Sequence, residues 1–595
     1  MFSEGSVVSI EKFKELSPAQ FFARYREVAG FSNPARALYQ AVRELVENSL
    51  DATETHGILP DIKIAIRQSI DNPRFYTITV EDNGIGIQPQ YVPNAFCKVL
   101  FSSKYVLRQT RGMYGLGIKA AVLYAQMTAG SYVEVITSPV NSTRIYYFKM
   151  KIDLGRNEPL IFERGSWRKS REWHGTIVSL TLEGDWPRAK QKVFEYIKRT
   201  AVITPYANIV FVSPDEELVF FKRSVEKLPQ PPLEVKPHPC GVDVELLKEI
   251  LRNSSEPVIN VLTKSFQGVG VRAVEEALKI ASIEPSKPSL KLTDQEIVKL
   301  AAVLKGISID ALIRARESTR AATVIDMLIE LEVPATKDAL TKLLNDLNID
   351  PLSNPRSLSD EAIEAIYRGI AKLYPKIRPP SPKALSPLGE GIIEAGLKKI
   401  FNPEFVKAIS RRPRVYQGHS FIVEVAVAYG GGVPSSSEPT LLRYANKIPL
   451  LYDEKADVSW KVIERINWEQ YNITMPAPLI ILTHVCSTKV PFKGVGKESV
   501  ADVPEVEREL SLAIKEALRA LRDHLVRRMK EELAKRKALT LAKYVPEVAI
   551  NLSKIVGGDG VRKLVEDKLV EVIAKKTSID ISYLREVVKR VKIGI

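Results

Sequence analysis

The sequence has little of what a disulfide framework, a zinc site or a membrane segment requires. Its three cysteines, Cys97, Cys240 and Cys486, are odd in number and far apart, which argues against disulfides and against a CxxC metal motif. The six histidines never fall at metal-ligand spacing, so a zinc role is not expected. The chain contains no run of about 18 apolar residues, and its N-terminus lacks the order of a signal peptide. We expect a soluble protein of the reducing cytoplasm, without a membrane partner.

Length and charge indicate a large protein with a polyanionic partner. At 595 residues the chain exceeds a single core, and about 150 residues per domain predicts three to five domains. The net charge of +15 favours nucleic acid as the partner, because Lys and Arg clusters displace counterions from phosphates.

The first chemical motif is an acidic helix. Apolar residues recur at Val42, Leu45, Val46 and Leu50 with helical periodicity. On the adjoining face, side chains at spacings of four and three place two carboxylates beside a neutral amide, which can orient a water and ligate Mg²⁺ through oxygen. These side chains are Glu44, Asn48 and Asp51.

Two glycine-containing segments follow the helix. The β-branched and aromatic run 75–80 predicts a strand that ends in Asp82-Asn83-Gly84-Ile85-Gly86, where a carboxylate beside bare backbone can accept a hydrogen bond from an exocyclic amine. The second segment, Gly112 to Gly117, leads into a predicted helix over 118–125. Its backbone N–H groups and the helix N-terminus are suited to phosphate oxygens, although no Walker A sequence is present.

Four segments follow one another in a specific order: the acidic helix, the segment that begins at Asp82, the glycine-rich loop and Gly175-Thr176. This order resembles the Bergerat-fold ATPases, the GHKL group that includes gyrase, MutL, ninety-kilodalton chaperones and histidine kinases. The resemblance implies ATP and Mg²⁺ as cofactors, with Glu44 as general base, Asn48 as metal ligand and Asp82 as the residue that binds adenine. Glu47 is a rival base by proximity, but the family spacing to Asn48 selects Glu44. The other nucleotide contacts that it implies are Gly86, Ser103, Lys104, Gly112, Met113, Tyr114, Gly115, Leu116, Gly117, Ile118, Lys119 and Thr176.

Further segments narrow the resemblance to the B subunits of DNA topoisomerase VI, over most of the chain. They include Ser102-Ser103-Lys104-Tyr105, His238-Pro239-Cys240-Gly241, Leu385-Ser386-Pro387-Leu388 and Arg443-Tyr444-Ala445-Asn446. The resemblance implies a multidomain α+β protein that dimerises on ATP binding, binds duplex DNA and assembles with an A subunit as an A2B2 heterotetramer. The predicted domains are a GHKL ATPase domain with an N-terminal dimerisation segment (1–228), a helix-two-turns-helix domain (229–306), a second helical copy (307–375), an α/β transducer (376–503), and a long stalk helix with a helical tail (504–595).

The transducer resemblance implies a lysine that senses the γ-phosphate. Strand-like segments at 421–427 and 479–485 precede the loop 490–497, and a basic helix is predicted from Pro504 to about Lys543. Lys497 fits the sensing role best, with Lys493 and Lys447 as competitors.

Between the two α/β regions the sequence repeats itself at a period of 66 residues. Val258-Ile259-Asn260-Val261-Leu262 matches Val324-Ile325-Asp326-Met327-Leu328, and Ile283-Glu284-Pro285 matches Ile349-Asp350-Pro351. A fixed period indicates duplicated structural units. A glycine turn in the first copy, 266–270, could hold a DNA phosphate, and the second copy lacks it. The function of the duplication stays open.

The sequence therefore predicts the ATPase subunit of a type IIB topoisomerase, which relaxes and decatenates DNA by ATP-gated strand passage. DNA cleavage is expected on a separate A subunit, because no tyrosine here lies in a recognisable cleavage motif. The alternatives are another GHKL ATPase, MutL-like or chaperone-like, and a DNA-binding scaffold without enzymatic activity.

Overall fold

The computed structural model describes residues 15–590, except 113–114, 308, 332, 334, 495 and 558. The predicted dimerisation segment lies largely outside this range, as do the side chains of Met113 and Tyr114. Within the described residues no helix combines the length and apolar character needed to cross a bilayer.

The N-terminal region is an eight-stranded sheet covered by helices. The sheet order is β5-β4-β3-β6-β2-β1-β7-β8, and only the β1/β7 pair is parallel among the neighbouring strands. The elements are α1 (Pro18–Arg24), α2 (Pro34–Glu54), β1 (Asp61–Gln68), β2 (Phe75–Asp82), α3 (Val92–Cys97), α4 (Gly117–Ala129), β3 (Val133–Ser138), β4 (Arg144–Asp153), β5 (Glu158–Arg168), β6 (Gly175–Glu183), α5 (Trp186–Ile203), β7 (Asn208–Val212) and β8 (Leu218–Phe221).

Local sequence explains how α2 and β2 place their polar ends together. Asn33 caps α2 by accepting from the Arg36 N–H, and Pro34 occupies its first turn, where no backbone donor is needed. Along β2 every second residue is buried, from Tyr76 to Asp82. This period of two directs Asp82 toward the helical layer rather than toward solvent.

The helical region consists of two units with the same element order. The first contains α6 (Val244–Arg252), α7 (Val258–Ser265), α8 (Val271–Ala281) and α9 (Asp294–Lys305). The second contains α10 (Ile309–Ser318), α11 (Val324–Glu330), α12 (Lys337–Asp346) and α13 (Asp360–Ile370). Each unit has its own hydrophobic cluster.

The 66-residue sequence period is also a structural period. The Val258 N–H donates to the Lys287 carbonyl, and the equivalent Val324 N–H donates to the Ser353 carbonyl. In the first copy the glycine turn is bonded to the chain on both sides of the helical region. The Gly268 carbonyl accepts from the Arg378 N–H, and the Gln267 N–H donates to the Pro237 carbonyl. The turn therefore joins the chain segments that enter and leave the helical region.

The C-terminal region is a second sheet with a long helix. The sheet order is β10-β11-β14-β12-β13, with β9 also paired to β11. The elements are α14 (Glu390–Phe401), β9 (Phe405–Ser410), β10 (Arg414–Tyr416), β11 (His419–Tyr429), β12 (Thr440–Ala445), β13 (Ile448–Pro449), α15 (Val458–Glu464), β14 (Leu479–Ser487), α16 (Pro504–Val556), α17 (Asp559–Thr577) and α18 (Ile581–Arg590).

Strand β11 is buried on both faces because it lies between two layers. One face packs with β14 against α16, and the other joins α14 and the end of α5. Gly396 allows the second contact, since a Cβ there would overlap the Val202 carbonyl. The predicted end of the long helix near residue 543 was too early: α16 continues to Val556 and contains Pro546.

Candidate nucleotide site

A cavity of about 600 Å³ lies among α2, the end of β2, the loop before α4 and the loop 490–497 of the second sheet. This volume is in the range of small-molecule and cofactor sites. The cavity walls include every predicted site residue that the structure describes: Glu44, Asn48, Asp82, Gly86, Ser103, Lys104, Gly112, Gly115, Leu116, Gly117, Ile118, Lys119, Thr176 and Lys497.

One end of the cavity is built around Asp82. Its Oδ1 accepts from the Gly84 N–H at 2.9 Å and from the Thr176 N–H at 3.2 Å. Burial raises the pKa of this carboxyl to about 6. Gly86 has φ +70°, and a Cβ there would overlap the Ser138 carbonyl. The carboxylate thus borders a slot of bare backbone, which suits a flat base with an exocyclic amine.

Glycines bring the loop and α4 close to the opposite end. Gly115 has φ +59°, and a Cβ there would overlap the Ser102 side chain. Gly117 begins α4, and a Cβ at this residue would overlap the Glu44 carboxylate. The N-terminus of α4 therefore lies against the acidic face of α2, and its N–H groups and partial positive charge are suited to phosphate.

Two lysines at the glycine-loop end of the cavity already donate hydrogen bonds to protein oxygens. The Lys104 Nζ donates to Asn48 Oδ1 at 2.9 Å and to Asp51 Oδ2 at 2.7 Å. The buried Lys119 donates to the Phe101 carbonyl at 2.9 Å, and burial, with the nearby charge of Lys104, lowers its pKa to about 8. A phosphate would have to draw both ammonium groups from these partners.

The two rival carboxylates on α2 have different surroundings. Glu44 is partly exposed to the cavity, and its Oε1 accepts from Gln40 Nε2 at 2.9 Å. Glu47 is 2% exposed, does not border the cavity and pairs with Arg43 Nε at 2.7 Å. The geometry favours Glu44 as the residue that can meet a water.

The three lysines that are candidates for sensing the γ-phosphate also have different surroundings. Lys497 borders the cavity, and its Nζ donates to the Arg111 carbonyl at 2.9 Å. Lys493 faces away and bonds to the Ala456 carbonyl and to Asp502. Lys447 lies beside the cavity, with its Nζ 3.0 Å from Glu54 Oε2.

The donor set at Asn48 suits a Mg²⁺ ion bound through few protein oxygens. The amide oxygen faces the cavity, and its present partner, the Lys104 ammonium, shows that a cation is accommodated there. Mg²⁺ commonly keeps several waters and takes its other ligands from phosphates.

Comparisons with known proteins agree with this arrangement. Residues 33–182 match the family of histidine kinase-, DNA gyrase B- and HSP90-like ATPases, and residues 380–537 match the topoisomerase VI B subunit transducer. The chain is 47% identical to the B subunit of type 2 DNA topoisomerase 6 from Metallosphaera sedula over 579 residues, which are 96% of each chain. It is 45% identical to the corresponding B subunit from Sulfurisphaera tokodaii over 596 residues, 98% of this chain and 99% of the other.

The chain belongs to the topoisomerase VI B subunit family. The Bergerat-type ATPase fold and the transducer with its long helix, both expected from the sequence, are confirmed. For this family member, the individual residue roles and the domain boundaries stay predictions.

The sequence did not reveal a buried ion network next to the cavity. Arg111 Nη1 pairs with Asp51 Oδ1 at 3.0 Å, and its Nη2 pairs with Glu54 Oε1 at 2.6 Å. Lys447 completes the network from the transducer side. The only indication of this network in the sequence was helical spacing, since Asp51 and Glu54 are three residues apart and lie on the same face of α2 as Asn48.

Proposed function

We propose that this chain is the ATP-hydrolysing subunit of a type IIB DNA topoisomerase, which relaxes and decatenates duplex DNA by ATP-gated strand passage. The observation that carries the proposal is the cavity itself. It joins the acidic face of α2, Asp82 and the glycine loop to Lys497 from the transducer. A nucleotide bound here would contact both parts of the chain at once.

The positions of the chain's residues support the following roles. Asp82 accepts from the adenine amine, while Gly86 leaves room for the ring. Glu44 orients the attacking water and takes its proton, a task that a partly hydrated carboxylate can perform near neutral pH. Asn48 would hold Mg²⁺, which supplies charge neutralisation of the phosphates when bound. Lys497 meets the terminal phosphate.

Partner binding extends the proposal beyond the cavity. ATP binding orders the loop before α4 and brings two copies of the chain together through their N-terminal segments. The long α16 carries the movement toward an A subunit, which cleaves the DNA, in an A2B2 assembly. The net charge of +15 suits sequence-independent contacts with DNA phosphates.

The near full-length similarity to topoisomerase VI relatives favours this function over a MutL-like or chaperone-like one. A scaffold without activity is disfavoured because Glu44, Asn48 and Asp82 all face one cavity.

The proposal is tested by decatenation of interlinked DNA circles with the chain and a candidate A subunit of the same family. We expect free circles only when both subunits, Mg²⁺ and ATP are present, and none with the Glu44→Gln variant. Equal decatenation without ATP would contradict ATP gating. Wild-type chain that binds no adenine nucleotide would favour the scaffold.

A further inference from the structure

The turn between β12 and β13 carries a lysine at a position that favours glycine. Asn446 and Lys447 have φ values of +48° and +66°, and they form a two-residue hairpin turn. Asn, Asp and Gly are preferred in such turns because other side chains clash at positive φ. A lysine at position 447 is therefore conformationally unfavourable, and the contacts of its side chain must account for its presence in the turn.

Surrounding hydrogen bonds fix the backbone of this turn. The Lys447 N–H donates to His484 Nε2 at 2.9 Å, so the other ring nitrogen, Nδ1, carries the proton that is donated to Glu424 at 2.9 Å. Glu424 also accepts from the backbone N–H groups of Leu388 and Gly389. Asn446 forms two bonds with the backbone of Ser487. The Lys447 side chain consequently leaves the turn in a defined direction.

That direction leads to the last residue of α2. The Lys447 Nζ donates to Glu54 Oε2 at 3.0 Å and to Ser386 Oγ at 2.9 Å. Glu54 Oε1 accepts from Arg111 and from the Tyr206 hydroxyl. Burial alone would raise the pKa of Glu54, but the charges of Arg111 and Lys447 lower it. Glu54 thus stays ionised and bridges the transducer to the loop before α4.

The bridge continues to the predicted metal ligand. Arg111 pairs with Asp51 at 3.0 Å, and Asp51 pairs with Lys104 at 2.7 Å. Lys104 in turn donates to Asn48 Oδ1. Three cations share two carboxylates, so a change in one ion pair alters the others at short range. A cation that binds Asn48 must displace the Lys104 ammonium.

We infer that Lys447 is a positioning residue that couples the transducer to the Asn48 end of the cavity through Glu54, Arg111 and Asp51. This coupling rests on the proposed function and is separate from Lys497, which contacts the cavity directly. It responds to the cation at Asn48 rather than to the terminal phosphate, so ADP and ATP reveal it equally.

The direction of the effect follows from the shared partners. Without the Lys447 ammonium, Glu54 attracts Arg111 more strongly. Arg111 then pairs less strongly with Asp51, and Asp51 binds the Lys104 ammonium more strongly. Lys104 is held closer to Asn48 and is harder to displace. The Mg²⁺ concentration for half-maximal ADP binding is expected to rise by roughly three- to tenfold, the lower range of couplings between neighbouring charges.

The test uses the full chain and the variant Lys447→Gly, which removes the ammonium at a turn position where glycine is favoured. Binding of fluorescent ADP is titrated with Mg²⁺, and hydrogen exchange of the loop 98–112 is measured without nucleotide. We expect a raised Mg²⁺ requirement and slower loop exchange, because Arg111 and Lys104, which both lie in this loop, are held more strongly. Lys447→Arg should restore both values, and adding Lys447→Gly to Glu54→Gln should have little further effect.

Lys493→Met is the matched control, because Lys493 lies in the same transducer and bonds only to transducer groups among the contacts described. It should match wild type in both measurements. If Lys447→Gly does not fold, Glu54→Gln breaks the bridge from its other side and must shift both measurements in the opposite direction. Arg111 then loses its Glu54 partner and pairs with Asp51 alone, so the loop should exchange faster and the Mg²⁺ requirement should fall.

An unchanged Mg²⁺ requirement with unchanged loop exchange would overturn the inference. Absence of nucleotide binding by wild type would instead defeat the proposed function, and the exchange measurement would still decide whether Lys447 acts on the loop.

Discussion

The transducer reaches the ATPase region with two lysines that meet opposite electrostatic surroundings. Both have left-handed backbone conformations and are buried: Lys497 is 9% exposed and Lys447 is 5% exposed. Lys447 is paired with Glu54, whereas Lys497 donates to a carbonyl and, among the described ion pairs, has no carboxylate partner. Burial lowers the pKa of Lys497, although Glu44 and Glu47 partly oppose this shift.

This difference in ion pairing indicates which lysine can respond to an incoming phosphate. A buried cation without an ion-pair partner gains most when an anion arrives, while a paired cation must first give up its partner. Lys497 is therefore suited to sense nucleotide. Both lysines nevertheless converge on Arg111, Lys497 through its carbonyl and Lys447 through Glu54 and its guanidinium.

The largest effect is expected on the cavity side, at Glu44. Glu44→Gln keeps the shape and the bond from Gln40 but cannot take a proton, so ATP turnover should fall by about 10²–10⁴-fold. Nucleotide affinity should change little. Turnover is measured by phosphate release, and affinity by calorimetry with a non-hydrolysable analogue.

Glu47→Gln provides the comparison for that variant. Since Glu47 does not border the cavity and is paired with the buried Arg43, its loss should lower the melting temperature and change turnover little. A loss of turnover of about 100-fold in a stable Glu47→Gln protein would reverse the choice of base.

A smaller, pH-dependent effect is expected at Asp82, which touches neither lysine. Its pKa of about 6 means that acidification from pH 7.5 to 5.5 protonates the carboxyl that should accept from adenine. ATP affinity should fall severalfold over this range, and Asp82→Asn should bind weakly with no such pH dependence.

The contribution of Asp82 to stability has the opposite sign. Its folded pKa exceeds the ordinary value of 3.8, so the fold disfavours the charged form. This group therefore stabilises the fold as pH falls from about 6 toward 4, and Asp82→Asn should raise the melting temperature at pH 7.5. A lower melting temperature with unchanged ATP affinity would contradict both parts.

The smallest effect is expected from removal of the second helical unit. A Cβ on Gly306 would lie 4.0 Å from the Tyr374 ring, so the two ends of the unit are close. Replacing 307–373 with a short Gly-Ser linker should leave ATP turnover within about twofold, because the unit has its own core. A tenfold loss would show that this unit acts on the cavity.

Sequence motifs predicted much of the cavity because its residues lie in short, ordered segments. Glu44 and Asn48 share one helix, and Asp82 ends one strand. The ion network escaped prediction because it joins residues far apart: Glu54 and Lys447 are separated by 393 positions. Local patterns do not reveal which distant charges will be buried together. The prediction also ended α16 near residue 543, whereas the helix continues through Pro546, a residue that usually kinks or breaks a helix interior.

The most direct measurement is ATP turnover by Lys497→Met beside Lys493→Met. Both lysines lie in the loop 490–497, but only Lys497 borders the cavity. The predicted result is a loss of about 10²–10³-fold for Lys497→Met, the usual cost of removing one group that stabilises transition-state charge, with Lys493→Met near wild type. Equal turnover in the two variants would contradict direct contact between the transducer and the nucleotide.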